Sequence, residues 1–275
     1  MPIEQKPNNK LAMIAGNGKF PIIFAQSAKK NADIELIAIG IIDDTVRSLS
    51  KFVDKIYWIQ AGQYNKLIDI LHKEQVSKLA MVGQVNPKKL FDKRIVVDEE
   101  LQELLESIRN KKADTIFGAV ANKLESEGIE IINSTTYMKE YLPSEGLLTK
   151  RAPTEEERED IKFGRETAKA IANLDIGQTV AVKKKAVLAV EALEGTDFTI
   201  RRAGIIGRGN VVVVKVSKPK QDLRFDIPVI GPRTIKTMIN AQASCLAIEA
   251  NKTLVIDKEE TVRLADKKGI SIVAI

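Results

Sequence analysis

The sequence predicts an α/β fold followed by an α+β fold: an N-terminal domain on a parallel sheet and a distinct, mixed C-terminal domain. Three observations lead there. At 275 residues the chain is long for one hydrophobic core and comfortable for two. In its first half, short apolar runs alternate with segments of helical period, the signature of βαβ units. In its second half, apolar runs follow one another with few helices between them.

Taken in order, LAMIA, IELIAIGI, KIYWI and KLAMVG are predicted strands, and residues 22–30, 64–73 and 99–109 predicted helices. The alternation of strand and helix makes residues 1–137 a Rossmann-like domain with helices on both faces of a parallel sheet. Two prolines, a glycine and a charge run break the periodicity over residues 138–160, which reads as a linker. A helix from about 159 to 173 restarts regular structure, and residues 161–275 form the second domain. There AVLAVEAL, NVVVVKVS, DLRFDI, TLVID and ISIVAI are expected strands, with helices near 234–242 and 258–267.

Composition excludes several chemistries. Hydrophobic residues at 44% and charged residues at 29% are ordinary for a soluble domain, and 5% aromatics offer little surface for stacking bases. The net charge of +6 is scattered, with no Lys/Arg block of the kind that binds nucleic acid, so no nucleic-acid partner is expected. Such a surface favours an anionic substrate or an acidic membrane face. No apolar run approaches the ~20 residues of a spanning helix, and the opening MPIEQKPNNK has no signal-peptide core, so a cytoplasmic location is expected. With one histidine, His72, on a helical pattern and one cysteine, Cys245, in an apolar run, zinc clusters and Cys/His dyads are unavailable. A hydrolytic metal must be held by carboxylates and phosphate oxygens, which suits Mg²⁺ or Mn²⁺.

Candidate site residues fall in both halves. In IAGNGKFP a strand runs into Gly16, Asn17 and Gly18, with Pro21 in the first turn of a helix. That is either a tight βα turn or a phosphate cradle, and the third glycine of a dinucleotide fingerprint is missing. Gly83, ending another strand, falls on the same ligand-binding edge. Asp114 is placed as a helix N-cap or a ligand. In VLAVEALEGTDFTIRRAG, Glu191 stands in an apolar strand, Glu194, Gly195, Thr196 and Asp197 in a turn, and Arg201 and Arg202 beyond it. A carboxylate inside an apolar strand is costly unless paired or bound to metal, so Glu191 is either an ion-pair partner or a ligand. Lys215, Lys218 and Lys220 add cations. In QDLRFDIPVIGPRT the alternation of Leu223, Phe225 and Ile227 predicts a strand with Asp222, Arg224 and Asp226 on its other face. That face is either self-paired and solvated or part of a phosphate and metal site.

LDIGQTVAV, AVEALEGTDFTIRRAG and KPKQDLRFDIPVIGPRTI closely resemble the UDP-2,3-diacylglucosamine pyrophosphatases of the LpxI type, as do IAGNGKFP and the closing LVIDKEETVRLADKKGISIVAI. The resemblance covers nearly the whole chain. It implies an enzyme of lipid A synthesis in a Gram-negative bacterium that hydrolyses its lipid-linked UDP-sugar to 2,3-diacylglucosamine 1-phosphate and UMP. Water attacks the α-phosphorus, a divalent metal is required, and the lipid product sits between the two domains. The family's essential aspartate precedes the Ile/Leu-Pro of the R-x-D-[IL]-P motif, here Asp226, and Arg224 joins it as a catalytic candidate. Gly16, Asn17, Gly18, Gly83, Thr196, Arg201, Lys218 and Gln221 are the substrate-binding candidates, and Asp222, Glu191, Glu194 and Asp197 the metal candidates, with Mg²⁺ or Mn²⁺ as cofactor. A transient contact with the inner-membrane surface is expected, with a homodimer allowed for. One departure stands out: where family members often carry an arginine before the proline that follows the Gly83-like strand, this chain has Asn86-Pro87, so Asn86 is not counted in the site. A non-catalytic nucleotide-binding regulator and, with weaker support, a nicotinamide-dependent oxidoreductase are the alternatives.

Overall fold

A computed structural model describes residues 9–83, 95–110 and 112–275, Ala113 by its backbone alone. The chain divides into two compact units, one comprising residues 1–138 with Asp222–Asp226, the other residues 139–221 with 227–275.

The first unit is a five-stranded sheet of β1 (Lys10–Ala15), β2 (Glu35–Ile41), β3 (Lys55–Ile59), β4 (Lys78–Val82) and β5 (Glu130–Ile132), in the order β3-β2-β1-β4-β5. Every described pairing is parallel. β1 and β2 carry near-continuous apolar runs because both faces of the sheet are covered. The helices are α1 (Phe20–Asn31), α2 (Tyr64–Lys73), α3 (Glu99–Ser107) and α4 (Ala113–Ser126), while a 3-10 turn, Arg47–Lys51, joins β2 to β3. α3 starts at Asp98, whose carboxylate accepts from Leu101 N–H (3.1 Å) and Asn65 N–H (2.7 Å). α4 is instead capped at Lys112, so Asp114 lies in its first turn and is not the expected N-cap. The order reverses between β1 and β4, and a doubly wound sheet binds ligands at that switch point.

The second unit holds a mixed six-stranded sheet. Its strands are β6 (Gly146–Leu147), β7 (Thr179–Lys183), β8 (Ala186–Val190), β9 (Val211–Lys215), β11 (Ala243–Ile248) and β13 (Ser271–Ala274), in the order β6-β13-β11-β9-β7-β8. A separate parallel pair joins β10 (Val229–Ile230) to β12 (Leu254–Val255). The run Val211–Val214 shows why the sheet needs helices on both sides. Val211 and Val213 enter one core with Ile200, Ala203, Ile235 and Met238, whereas Val212 and Val214 enter another with Ile161 and Ala168. The first core is covered by α6 (Thr196–Gly207), α7 (Pro232–Asn240) and α8 (Lys258–Lys267), the second by α5 (Glu155–Asn173). Gly164 lets α5 sit close, since a Cβ there would stand 2.7 Å from Val214 Cγ2.

The α/β plus α+β expectation holds, and several local expectations do not. DLRFDI is a turn, not a strand. The Asp222 carboxylate accepts from Arg224 N–H (3.1 Å) and the Asp222 carbonyl from Phe225 N–H (3.2 Å) and Asp226 N–H (2.9 Å), closing the backbone on itself before a ladder can form. Residues 138–160 are not a free linker. Gly146–Leu147 pairs with β13, and α5 begins at Glu155 behind a capping box of Thr154 and Glu157, whose carboxylate also takes a two-pronged ion pair from Arg151. The expected turn from Glu194 to Asp197 runs directly into α6, which periodicity did not reveal, and Glu191 lies one residue past the end of β8.

Candidate functional site

In the first unit, the two βα turns at the switch point are packed together. Gly16 N–H donates to the Val82 carbonyl (2.8 Å), tying the end of β1 to the end of β4. Gly83 follows with φ +89, and a Cβ there would lie 2.9 Å from the Asn17 carbonyl oxygen and 3.0 Å from Pro21 Cγ. Only glycine meets both the conformation and the space. Gly18 also has a positive φ, but a Cβ there would meet nothing within 4 Å, so that turn borders open space. α1 starts beside it with Lys19 at its N-cap and no side chain capping the first turn, the arrangement that leaves helix N–H groups to water or an anion. The structure thus brings Gly16, Asn17, Gly18 and Gly83 together. Asn86 lies outside the described residues.

The second feature of this unit is the turn Asp222–Asp226. Arg224 spends its whole guanidinium on holding it. Nε and Nη2 donate to the Asp222 carboxylate (3.0 and 2.7 Å), Nη1 to Glu125 Oε2 (2.8 Å), and both terminal nitrogens to Asn122 Oδ1 (3.1 Å), the last two partners being on α4. Hydrogen bonding from Arg224 draws the Asp222 pKa below the usual carboxylate range, and the same bonds raise that of Arg224. The Leu223 carbonyl accepts from Ser134 N–H (2.9 Å) and Oγ (3.0 Å), and the Phe225 ring lies 6.0 Å from that of Phe117. Three independent attachments fix the turn, and half-buried Asp226 ends it. Arg224 and Asp222 are therefore each other's partners, and Arg224 acts on the position of Asp226 through the backbone between them.

In the second unit, Glu191, 8% exposed, sits between β8 and α6. Its Oε1 accepts from the Thr196 hydroxyl (2.8 Å), which in turn accepts from Lys215 Nζ (2.8 Å). Lys215 is 6% exposed at the end of β9, and Oε2 of Glu191 is buried with no hydrogen-bond partner among the described residues. A carboxylate, a hydroxyl and an ammonium in one buried chain, with one oxygen unsatisfied, is an expensive arrangement for a merely structural purpose. From sequence Lys215 is one of three candidate cations with Lys218 and Lys220; what sets it apart is its place at the end of a fully buried run of valines.

The remaining candidates scatter. Glu194 pairs with Arg202 (3.5 Å) and Asp197 with Arg233 (2.6 Å). Lys218 pairs with Asp175 (3.0 Å), and its N–H donates to Gln221 Oε1 (2.6 Å), closing a turn. Arg201 points away from the Glu191 group, on the exposed side of α6 with its guanidinium 5.0 Å from the Phe198 ring centroid. Of the four expected metal ligands, three are thus engaged by arginines, and no group of three or more His, Cys, Asp or Glu able to hold an ion occurs among the described residues. Oε2 of Glu191 is the oxygen that fits Mg²⁺ or Mn²⁺, ions commonly held by one or two carboxylates together with substrate phosphates.

Residues 10–141 match the model of the LpxI N-terminal domain, and residues 144–273 that of the LpxI C-terminal domain. The UDP-2,3-diacylglucosamine pyrophosphatase LpxI of Caulobacter vibrioides is 30% identical over 277 residues, covering 97% of each chain. Among solved structures, the biotin carboxylase domain of Hydrogenobacter thermophilus 2-oxoglutarate carboxylase is 13% identical with a TM-score of 0.29, over 85% of this chain and 40% of that one. The biotin carboxylase subunit of pyruvate carboxylase is likewise 13% identical, with a TM-score of 0.28 over 68% of this chain and 38% of that one. Likenesses at that level carry no argument. The family domains do, because between them they account for both units and for the motifs in each: this chain belongs to the LpxI family.

Proposed function

We propose that the protein hydrolyses the pyrophosphate of UDP-2,3-diacylglucosamine, giving 2,3-diacylglucosamine 1-phosphate and UMP. The observation that carries this reading is the triply anchored turn that ends in Asp226, in a chain whose curated relative bears that activity in its name. Water attacks the α-phosphorus, the bond from that phosphorus to the bridging oxygen breaks, and the lipid 1-phosphate leaves with the electron pair. Asp226 orients the water and takes its proton, a task that needs a carboxylate held still. In the second unit, the buried ammonium of Lys215 beside Thr196 is of the kind that offsets growing phosphate charge. Glu191 is the residue there that would hold a divalent cation, which supplies charge neutralisation when bound. The turn at Gly16–Gly18 with the α1 N-terminus accommodates the nucleotide phosphate.

The test is UMP release from UDP-2,3-diacylglucosamine by the purified chain with Mn²⁺ or Mg²⁺, repeated in excess chelator and in ¹⁸O-water. The expected results are turnover, its loss on chelation, and label in UMP. Label in the lipid phosphate would mean attack on the other phosphorus. Asp226→Asn should lower kcat by roughly a hundredfold or more while substrate still binds. Wild-type kcat in that variant overturns the assignment.

A further inference from the structure

α6 is apolar on the side where apolar residues are not expected. It buries Thr199, Ile200 and Ala203 against the core of the second unit. At ~100° per residue, Phe198, Arg201 and Ile205 fall on the opposite, outward face, with Arg202 and Ile206 on its flank. Phe198 is 56% exposed, Ile205 80% and Ile206 55%, and Leu193 in the preceding turn is exposed too. A helix on the surface of a water-soluble domain ordinarily presents polar side chains there, and a contiguous apolar stripe marks a contact surface.

The charges around this stripe have one sign left over. Glu194 is matched by Arg202 and Asp197 by Arg233. Arg201 and Arg208, which follows the helix in the left-handed conformation, have no acidic partner among the described residues. Arg201 instead lies over the Phe198 ring. Isoleucines and an aromatic ring interleaved with guanidiniums form the pattern of a helix that lies in a lipid interface, apolar side chains below the headgroups and arginines at the phosphates.

We propose that the outward face of α6 is where this protein docks on an anionic bilayer. A second copy of the chain fits less well: the stripe itself carries no acid, so a self-complementary contact would set its arginines against one another. The proposal rests on the function above in one respect, that a diacylated substrate resides in a bilayer.

The experiment is flotation of the full-length protein with vesicles of phosphatidylglycerol and phosphatidylcholine, against vesicles of phosphatidylcholine alone. The variants are Phe198→Ser/Ile205→Ser and Arg208→Gln. Wild-type protein should float with the anionic vesicles and not the neutral ones, and the double variant should lose at least about tenfold in partitioning, because two side chains no longer leave water. Arg208→Gln should reduce it less, and high salt should reduce it for all. Turnover of substrate dispersed in detergent should be the same in the double variant as in wild type. No flotation of the wild-type protein, or equal flotation of the double variant, overturns the proposal. So does a change of oligomeric state by light scattering with partitioning unchanged, which would assign the face to a second copy. A wild-type protein that floats but turns over nothing would sink the proposed activity and leave the docking face standing.

Discussion

Arg224→Ala separates a clamp from a catalytic group. The half-buried two-pronged pair with Asp222 contributes about 1 kcal/mol, the charge-assisted bond to Asn122 about 1 more, and the more exposed Glu125 a few tenths. Losing them weakens the turn's own closure and its attachment to α4 by roughly 2 kcal/mol together, a factor of about 30 in the ratio of ordered, docked turn to displaced turn. The Ser134 bonds and the Phe225 contact remain, so the unit stays folded. We therefore expect kcat to fall by up to about 30-fold, with KM and thermal midpoint little changed, because what is lost is the fraction of molecules with Asp226 in place. The assay is initial-rate UMP release over a range of substrate concentrations. Asn122→Ala/Glu125→Gln removes the same attachment from the α4 side and should lower kcat in the same sense by a smaller factor. A thousandfold loss in Arg224→Ala beside a silent α4 variant would refute the clamp and put the guanidinium on the substrate. A raised KM at constant kcat would refute it too.

Three further outcomes follow from the geometry. Lys215→Met should cost on the order of 3 kcal/mol in chemical denaturation, since it leaves buried Glu191 without a nearby cation, and Lys215→Met/Glu191→Gln should recover that stability without recovering turnover. At Glu249, burial works to raise the carboxyl pKa, but bonds from Lys169, Ser217 and Lys252 outweigh it and bring it from 4.5 to about 2. Because the folded value is the lower one, the stabilisation is present above pH 4.5 and disappears as pH falls towards 2. Glu249→Gln should thus be less stable by on the order of 3 kcal/mol at pH 7, with a gap that closes in acid, and a gap independent of pH would contradict it. Gly83→Ala should lower the thermal midpoint, because φ +89 and the 2.9 Å approach to the Asn17 carbonyl together cost about 1–3 kcal/mol.

The parallel sheet was legible because buried strands announce themselves: KLAMIA and ELIAIGI are apolar at nearly every position, and Gly18 after β1 and Gly83 after β4 stand where the backbone needs them. The turn at Asp222–Asp226 was not, since Leu223, Phe225 and Ile227 happen to recur with period two while the backbone is organised by an aspartate bonding two residues ahead. Phe225 packs on the core of the first unit, and Leu223 is exposed, so the shared spacing does not mark a shared face. α6 was hidden for a different reason. It starts at a glycine with no side-chain cap, holds β-branched threonines and isoleucines, and is apolar on both sides, which erases the 3.6-residue signal. Asp226 stands apart from its charged neighbours through its motif. In the group around Glu191 the carboxylate stands out by its apolar setting, whereas Lys215 is one cation among three until β9 is seen to be buried on both faces.

The chain passes from one unit to the other after Met138, after Gln221 and after Asp226, and this ordering governs how the protein can be made. A nascent chain that has emerged as far as Met138 contains every strand of the parallel sheet but none of the segment that Arg224 fastens to α4. At 5–20 residues per second, roughly 4–18 s of further translation pass before Asp226 is available. Throughout that interval the surface around Phe117 waits without Leu223 and Phe225, open to chaperones or to another nascent chain. A gene fragment cut at the apparent domain boundary would fix that transient state permanently, yielding a sheet with its last piece missing and no Asp226 at all.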